Sequence, residues 1–248
     1  MNAKKILLLG KNGMAGQTVY KYFKKQGYDI VGLDSYDFNV LFNDLNEVVD
    51  LNDYYVVINC IGLLNHETDV KKLILVNSLF PQELEELSDY YDFKLIHIST
   101  DCYLDNTPYG HSKWLGELKD SLTLRTSIIG HDNYKKGTGL LNWFLDQKGI
   151  VRGYKNHIWY SITTLELAKA MEKSIEMDLK GIIEVTNGEP ISKYALLKLI
   201  KDEYKLDTKL EGIYLDQYVI KELNKDIDFD IPFYDDMIHE MRLFNEED

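Results

Sequence analysis

A tyrosine and a lysine four residues apart, Tyr109 and Lys113, stand just beyond an apolar run that ends in Ser99-Thr100-Asp101. On a helix, residues at that spacing project from one face, a turn apart. Free tyrosine titrates near a pH of about 10, so alone it is a poor proton donor or acceptor at neutral pH. A lysine ammonium alongside favours the phenolate and is expected to draw the phenol towards the working range. Thr100, at the strand end, is placed to hydrogen-bond the reacting oxygen. Such a trio suits hydride transfer between a nicotinamide and a carbinol or carbonyl carbon, with Tyr109 handling the proton. Alone the pair is weak, because among 18 tyrosines such spacing usually marks a surface helix. Its weight comes from what precedes it.

Upstream of it stands Lys5-Ile-Leu-Leu-Leu-Gly10-Lys-Asn-Gly13-Met-Ala-Gly16, an apolar run that meets a Gly-x-x-Gly-x-x-Gly turn. An amphipathic segment follows and stops at Gly27. Strand, glycine loop and helix in that order lay a pyrophosphate on a helix N-terminus. A second apolar run, Ile30 to Leu33, ends in Asp34, where an acid would hold an adenosine ribose hydroxyl; the plainer alternative is a turn cap. Ser35 and Tyr36 follow in place of an arginine, which tilts the expectation from NADPH towards NADH. No Gly-Lys-Ser/Thr triplet occurs, so a phosphate-binding kinase loop is excluded.

Taken together, these pieces resemble an extended short-chain dehydrogenase/reductase, most closely the dTDP-4-dehydrorhamnose reductase group of sugar-nucleotide enzymes. The resemblance also runs through Val57-Ile-Asn-Cys60, Val76-Asn-Ser78, Ile98-Ser-Thr-Asp101, Tyr109-Gly-His-Ser-Lys113, Leu124 to Gly130 and Thr186 to Ser192. It implies catalytic places for Thr100, Tyr109 and Lys113. Cofactor places fall on Gly10, Asn12, Gly13, Met14, Gly16, Asp34, Cys60, Ile61, Gly62, Asn77, Tyr109 and Lys113. It implies NAD(P)H-dependent reduction of a nucleoside-diphosphate 4-keto sugar at C4, in deoxysugar supply for polysaccharide. Two departures stand out. Only nine positions separate Thr100 from Tyr109, where rhamnose-type reductases carry a longer acidic loop, and Cys102 replaces the usual aromatic. A nucleotide-sugar epimerase or dehydratase, or a non-catalytic NAD(P)-binding regulator, is the alternative.

Apolar runs alternate with helical periods through the first half, predicting β-α-β units and a parallel sheet. The expected fold is α/β: a Rossmann-like doubly wound sheet, about 1–135, with a small substrate-binding lobe, about 136–248, parts of which return to the core. Strands are predicted at Tyr55–Ile58, Lys94–Ile98, Thr123–Ile129 and Gly181–Val185. Helices are predicted over 71–78, 81–90, 108–118, 140–145, 194–204 and 236–243, and one from a capping box at Thr163-Thr-Leu-Glu166 to about Glu176. Residues 137–153 read as a loop-rich ligand lid. Asn142, Lys148, Arg152 and Trp159 are the candidate substrate contacts, with Trp143, Tyr154, Asn156 and His157 on the same lip. Arg and Lys can meet diphosphate oxygens. Trp143 reads more readily as helix core, His97 as a core histidine and His111 as exposed.

The bulk numbers agree. Acids outnumber bases 41 to 28, a net charge of −13, which argues against nucleic acid as a partner. Cys60 and Cys102 are the only cysteines, so no disulfide framework or zinc cluster is expected. The run Ile6–Leu9 is too short for a signal peptide or membrane span. A cytoplasmic enzyme without metal is expected, with a homodimer left open.

Overall fold

The structure is a computed structural model that describes residues 5–132 and 139–247. The first half runs β1 (Lys5–Leu9), α1 (Met14–Lys25), β2 (Ile30–Leu33), α2 (Leu45–Val48), β3 (Tyr54–Asn59), α3 (Val70–Ile74), α4 (Phe80–Tyr91), β4 (Lys94–Thr100), α5 (Pro108–Leu115) and β5 (Leu122–Thr126). The second runs β6 (Ile128–Ile129), α6 (Leu140–Leu145), β7 (Ile150–Tyr154), β8 (His157–Trp159), β9 (Ile162–Thr163), α7 (Thr164–Glu176), β10 (Gly181–Glu184), β11 (Ile191–Ser192), α8 (Lys193–Glu203), β12 (Lys209–Ile213), β13 (Val219–Lys221) and α9 (Tyr234–Glu246).

Six strands form one parallel sheet in the order β10-β5-β4-β3-β1-β2. Alternate side chains of a strand face opposite sides, and β1 shows both sides covered. Ile6 and Leu8 join an apolar layer with Val19 and Phe23 of α1, whereas Leu7 and Leu9 join another with Phe80 and Leu84 of α4. Burial on both faces is why β1 reads as an unbroken apolar run rather than an alternating one. The order in which successive strands are added reverses between β1 and β3, so their carboxyl ends open a crevice of the kind that takes ligands. α7 packs on α1, and β10 closes the far edge, so the second half does return to the core.

The lobe is built from short pairings: β7 with β12, β8 between β11 and β13, and β6 with β9. Thr163 caps α7, its hydroxyl accepting from Glu166 N at 3.3 Å, and Ser192 caps α8 through Ala195 N at 3.1 Å. Helix α6 matches its sequence-based bounds. Positions 137 and 138 of the expected lid lie outside the described residues. The helix expected over 71–78 is α3 followed by a π-helical turn, Leu75–Leu79, the helix expected to reach 118 ends at Leu115, and the tail helix is longer than predicted at both ends. Among the described residues no helix is long and apolar enough to cross a membrane.

Candidate active site

The glycine loop forms as its spacing predicts. Gly10 takes φ +80°, and a Cβ on Gly16 would sit 2.1 Å from the Gly10 carbonyl oxygen. Only glycine at 16 allows α1 to start so close to the strand end. Gly13 caps α1 without a side-chain hydrogen bond, and no acid occupies the helix's first turn. Its N-terminal amides and dipole therefore face the crevice, a setting that favours an anion.

Asp34 closes one side of the loop and does two jobs. Its Oδ1 accepts from Tyr36 N at 2.8 Å, as a turn cap would, and its Oδ2 accepts from Asn12 Nδ2 at 3.0 Å. The Tyr36 amide, chiefly, holds its carboxyl below the usual range. The Lys11 ammonium lies 3.5 Å from Asp34 and 3.3 Å from Asp37. The residues that follow Asp34 in the chain gave no sign of this cation, because it comes from inside the glycine loop.

Across the crevice, the end of β3 carries Cys60, Ile61 and Gly62. Ile61 N donates to Asn59 Oδ1 at 3.0 Å, and Leu63 N donates to Asn77 Oδ1 at 2.8 Å. Asn77, on the π-helical turn, is fully buried; its Nδ2 donates to Leu63 O and to Ser112 Oγ of α5 at 3.1 Å. Its amide is thus spent on pinning the β3 loop to the helix that carries Tyr109 and Lys113. Burial pushes the Cys60 thiol up to about 12.

The trio meets at the end of β4. Thr100 is buried, and its Oγ1 accepts from Cys102 N at 3.2 Å, capping a 3-10 turn over 101–104. Thr107 caps α5 through Gly110 N at 3.0 Å, and Pro108 opens the helix where no amide is needed. A Cβ on Gly110 would lie 2.2 Å from Cys102 O, so this glycine lets α5 press its first turn, with Tyr109, against the Thr100 loop. Nine residues suffice to bring the phenol close enough to Thr100 for that hydroxyl to favour its phenolate. Lys113 is buried, and its Nζ donates to Ile98 O at 2.6 Å, beside Gly62 and Asn77.

The charges differ from the sequence-based expectation. Burial pushes Tyr109 up to about 12, opposed by the Thr100 hydrogen bond, with Lys221 rather than Lys113 among the charges that favour its phenolate. Burial draws Lys113 down to about 8. The lysine is turned towards a backbone carbonyl, and desolvation of the phenol dominates. At neutral pH the phenol therefore keeps its proton.

The substrate lip divides. Trp143, Arg152, Tyr154 and His157 line one cavity of about 680 Å3, together with Lys193 and Glu211. Trp143 is 39% exposed, because Leu141 and Phe144 take the buried face of α6, so the core reading of Trp143 is corrected. Asn142 and Lys148 do not line this cavity. Asn142 exchanges two 2.9 Å hydrogen bonds with the backbone of Asp132, and Lys148 is exposed. Asn156 secures the 215–217 backbone instead. Trp159 is buried at the catalytic corner, its Nε1 donating to Asp101 Oδ2 at 3.1 Å and to Ser127 Oγ. His97 is buried, with Nδ1 3.2 Å from Asn59 Nδ2 and Nε2 unpartnered; His111 is exposed. Among the described residues no cluster could hold a metal ion.

A doubly wound parallel sheet with a glycine loop at its crevice defines a Rossmann-like α/β protein. More narrowly, the RmlD substrate binding domain family matches residues 4–129, and the chain belongs to that family. The probable low-salt glycan biosynthesis reductase Agl14 of Haloferax volcanii is 28% identical over 155 residues, 48% of this chain and 52% of that protein. The match thus spans about half the length of this curated relative. A dTDP-4-dehydrorhamnose reductase ortholog from Clostridium acetobutylicum ATCC 824 superposes with a TM-score of 0.78 at 18% identity, covering 98% of this chain and 99% of that one. The dTDP-4-dehydrorhamnose reductase of Bacillus anthracis str. Ames, solved with NADP, gives 0.77 at 16%, covering 97% and 99%. Both likenesses concern the fold.

Proposed function

We propose that the protein is an NAD(P)H-dependent oxidoreductase that reduces the C4 ketone of a nucleoside-diphosphate 4-keto-6-deoxy sugar, in the supply of deoxysugars for polysaccharide. The observation that carries this reading is the meeting of Thr100, Tyr109 and Lys113 at the sheet edge beside a glycine loop whose helix end lacks any side-chain cap. Family membership and the printed names of the relatives point the same way.

In this reading residues 1–135 hold mainly the dinucleotide and 136–248 mainly the sugar nucleotide. The α1 amides receive the diphosphate of the dinucleotide, Asp34 with Asn12 and Lys11 borders its adenosine ribose, and Cys60 to Gly62 line the path to its reactive end. The dinucleotide, when bound, supplies the hydride. Thr100 and Tyr109 grip the carbonyl oxygen. Tyr109, still protonated at neutral pH, delivers its proton as charge builds there. Lys113 lies where it can hold a ribose hydroxyl and replace the lost proton. Because Lys11 brings a cation to the Asp34 corner, both NADH and NADPH are accepted. Arg152 meets a phosphate oxygen of the substrate at the cavity mouth. Two unpaired cysteines and a net charge of −13 suit a reducing cytoplasm without nucleic-acid partners.

The test follows NAD(P)H oxidation with dTDP-, UDP- and GDP-4-keto-6-deoxyhexoses. Tyr109→Phe should lower turnover by about 10³-fold and leave dinucleotide affinity within about twofold, below the roughly 1.4 kcal/mol that marks a tenfold change. Retained turnover in this variant would refute the assignment.

A further inference from the structure

The short loop between Thr100 and Tyr109 is held from outside its own β-α unit. Lys221, on β13, reaches across from the lobe and donates to Asp105 Oδ2 at 2.5 Å and to Cys102 Sγ at 2.9 Å. Its register partner on β8 is Trp159, whose indole N–H donates to Asp101 Oδ2 at 3.1 Å. Two adjoining strands of the lobe therefore grip Asp101, Cys102 and Asp105. The backbone of the same loop supports both reacting hydroxyls. Cys102 N donates to Thr100 Oγ1 at 3.2 Å, and Asp105 N donates to Cys102 O at 2.9 Å. A Cβ on Gly110 would lie 2.2 Å from Cys102 O and 2.9 Å from Asp105 O. The first turn of α5, with Tyr109, thus rests on the carbonyls of the two residues whose side chains Lys221 holds.

We propose that Lys221 is a positioning residue for the reduction: it clamps the 101–105 loop to the lobe, and through that loop sets the Thr100 hydroxyl and the Tyr109 phenol in their working places. Its effect on rate rests on the reductase reading above, whereas the clamp itself does not. Lys221 acts through Asp105 and Cys102 rather than on the reacting atoms. The catalytic corner is then complete only while β13 and β8 are docked on the end of β4. β8 also carries His157, which lines the 680 Å3 cavity, so the strand that borders the substrate cavity is the strand that holds Asp101.

The plainer reading is an ion pair that only stabilises the fold. Exposed pairs of that kind contribute little, but this one is shielded: the Lys221 side chain is 18% exposed and that of Asp105 38%. Its charge-assisted hydrogen bond fixes a short turn directly beneath the reacting groups. Displacement of such groups by about 1 Å costs on the order of 100-fold in rate. A positioning role therefore appears in kcat, and a purely structural one in stability alone.

The experiment measures steady-state reduction of 4-keto-6-deoxyhexose nucleotides, dinucleotide affinity and amide hydrogen exchange on the full chain. Lys221→Met should lower kcat by about 30-fold and leave KM and dinucleotide affinity within about twofold. Exchange over residues 101–107 should quicken by about 10-fold, while β1 and α1 exchange as in the parent. Lys221→Arg keeps a cation with hydrogen-bond donors and should recover kcat to within about threefold of the parent. Asp105→Asn should lower kcat in the same way, and the double variant should be no slower than Lys221→Met, because both changes break one contact. A kcat near the parent's in Lys221→Met, no recovery in Lys221→Arg, or additive losses in the double variant overturns the positioning role. Unchanged exchange over 101–107 overturns the clamp whether or not the parent reduces any keto sugar. Quickened exchange in a chain that reduces none keeps the clamp and sinks the reductase reading.

Discussion

The sheet edge and the C-terminal lobe reach the same corner by different routes. At the edge, the functional groups sit at strand ends or on the segments that follow them, and they reach across only to adjoining β-α units, as Asn12 does to Asp34 and Asn77 to Ser112. Tyr109 and Lys113 share α5, and Gly10 to Gly16 form one loop. The lobe instead collects Arg152 from β7, Trp159 from β8, Lys193 from α8 and Lys221 from β13. Its cations are also treated differently. Lys11 at the edge is matched by Asp34 and Asp37, whereas Lys193 and Arg152 make no ion pair among the described residues. Arg152 is exposed with Glu211 on the same cavity, but a charged Lys193, largely desolvated against Trp159 without an ion pair, is a costly arrangement unless an anion completes it. The edge is built as a fixed frame, and the lobe as half of an ion pair.

The sharpest way to break this division is at the frame. Lys113→Met should lower kcat by about 10²-fold or more and weaken the dinucleotide, because the buried ammonium stands beside Gly62 and Asn77. A steady-state comparison with Tyr109→Phe separates the two, since the tyrosine variant should affect kcat alone. A Lys113 variant with unchanged dinucleotide affinity would confine that residue to proton supply. Lys11→Ala tests the corner at Asp34 and should weaken NADPH relative to NADH by about 5–10-fold, the value of one charge-assisted phosphate contact. Equal losses for both would show that Lys11 only orders the loop. In the lobe, Arg152→Ala should raise KM for the sugar nucleotide by about fivefold with kcat nearly constant, since its contact is the same in ground and transition states. A fall in kcat would place Arg152 nearer the reacting atoms than the cavity mouth.

How far each region could be read from the chain follows from the same division. The glycine loop, Asp34, the trio and six of the principal strands and helix caps are local patterns, and they were legible. Thr163 and Ser192 cap their helices because a hydroxyl three residues ahead of a free amide is a short-range arrangement. The lobe was only partly legible. Arg152, Tyr154 and His157 do line one cavity, but Asn142 does not, because its partner Asp132 lies ten residues upstream and takes up its amide. Lys193 and Lys221 carried no local signal: a lysine opening a helix and one closing a three-residue strand look like surface residues until β8 and β13 pair. The pKa of Tyr109 was misread for a related reason. Spacing puts Lys113 on its face of α5, but only the fold turns that ammonium to Ile98 O.

The smallest expected effect is on stability, and it probes the unmatched cation directly. Lys193 titrates near 7 in the folded chain, against an ordinary lysine value of 10.5. Between those values the unfolded chain binds more protons than the folded one, so this residue makes stability rise with pH across the window. Below it, folding holds a charge away from water with only the Trp159 face and the distant Asp101 in return. Lys193→Met should therefore raise Tm by about 2–4 °C at pH 6.5, and the advantage should be smaller at pH 9.5, vanishing only above about 10.5, where the unfolded amine is neutral as well. A saturating nucleoside diphosphate should narrow the gap at pH 6.5 by supplying the missing anion to the parent protein alone. An equal Tm difference at both pH values would mean that Lys193 costs the fold nothing as a cation, and the lobe would then be as fully matched as the sheet edge.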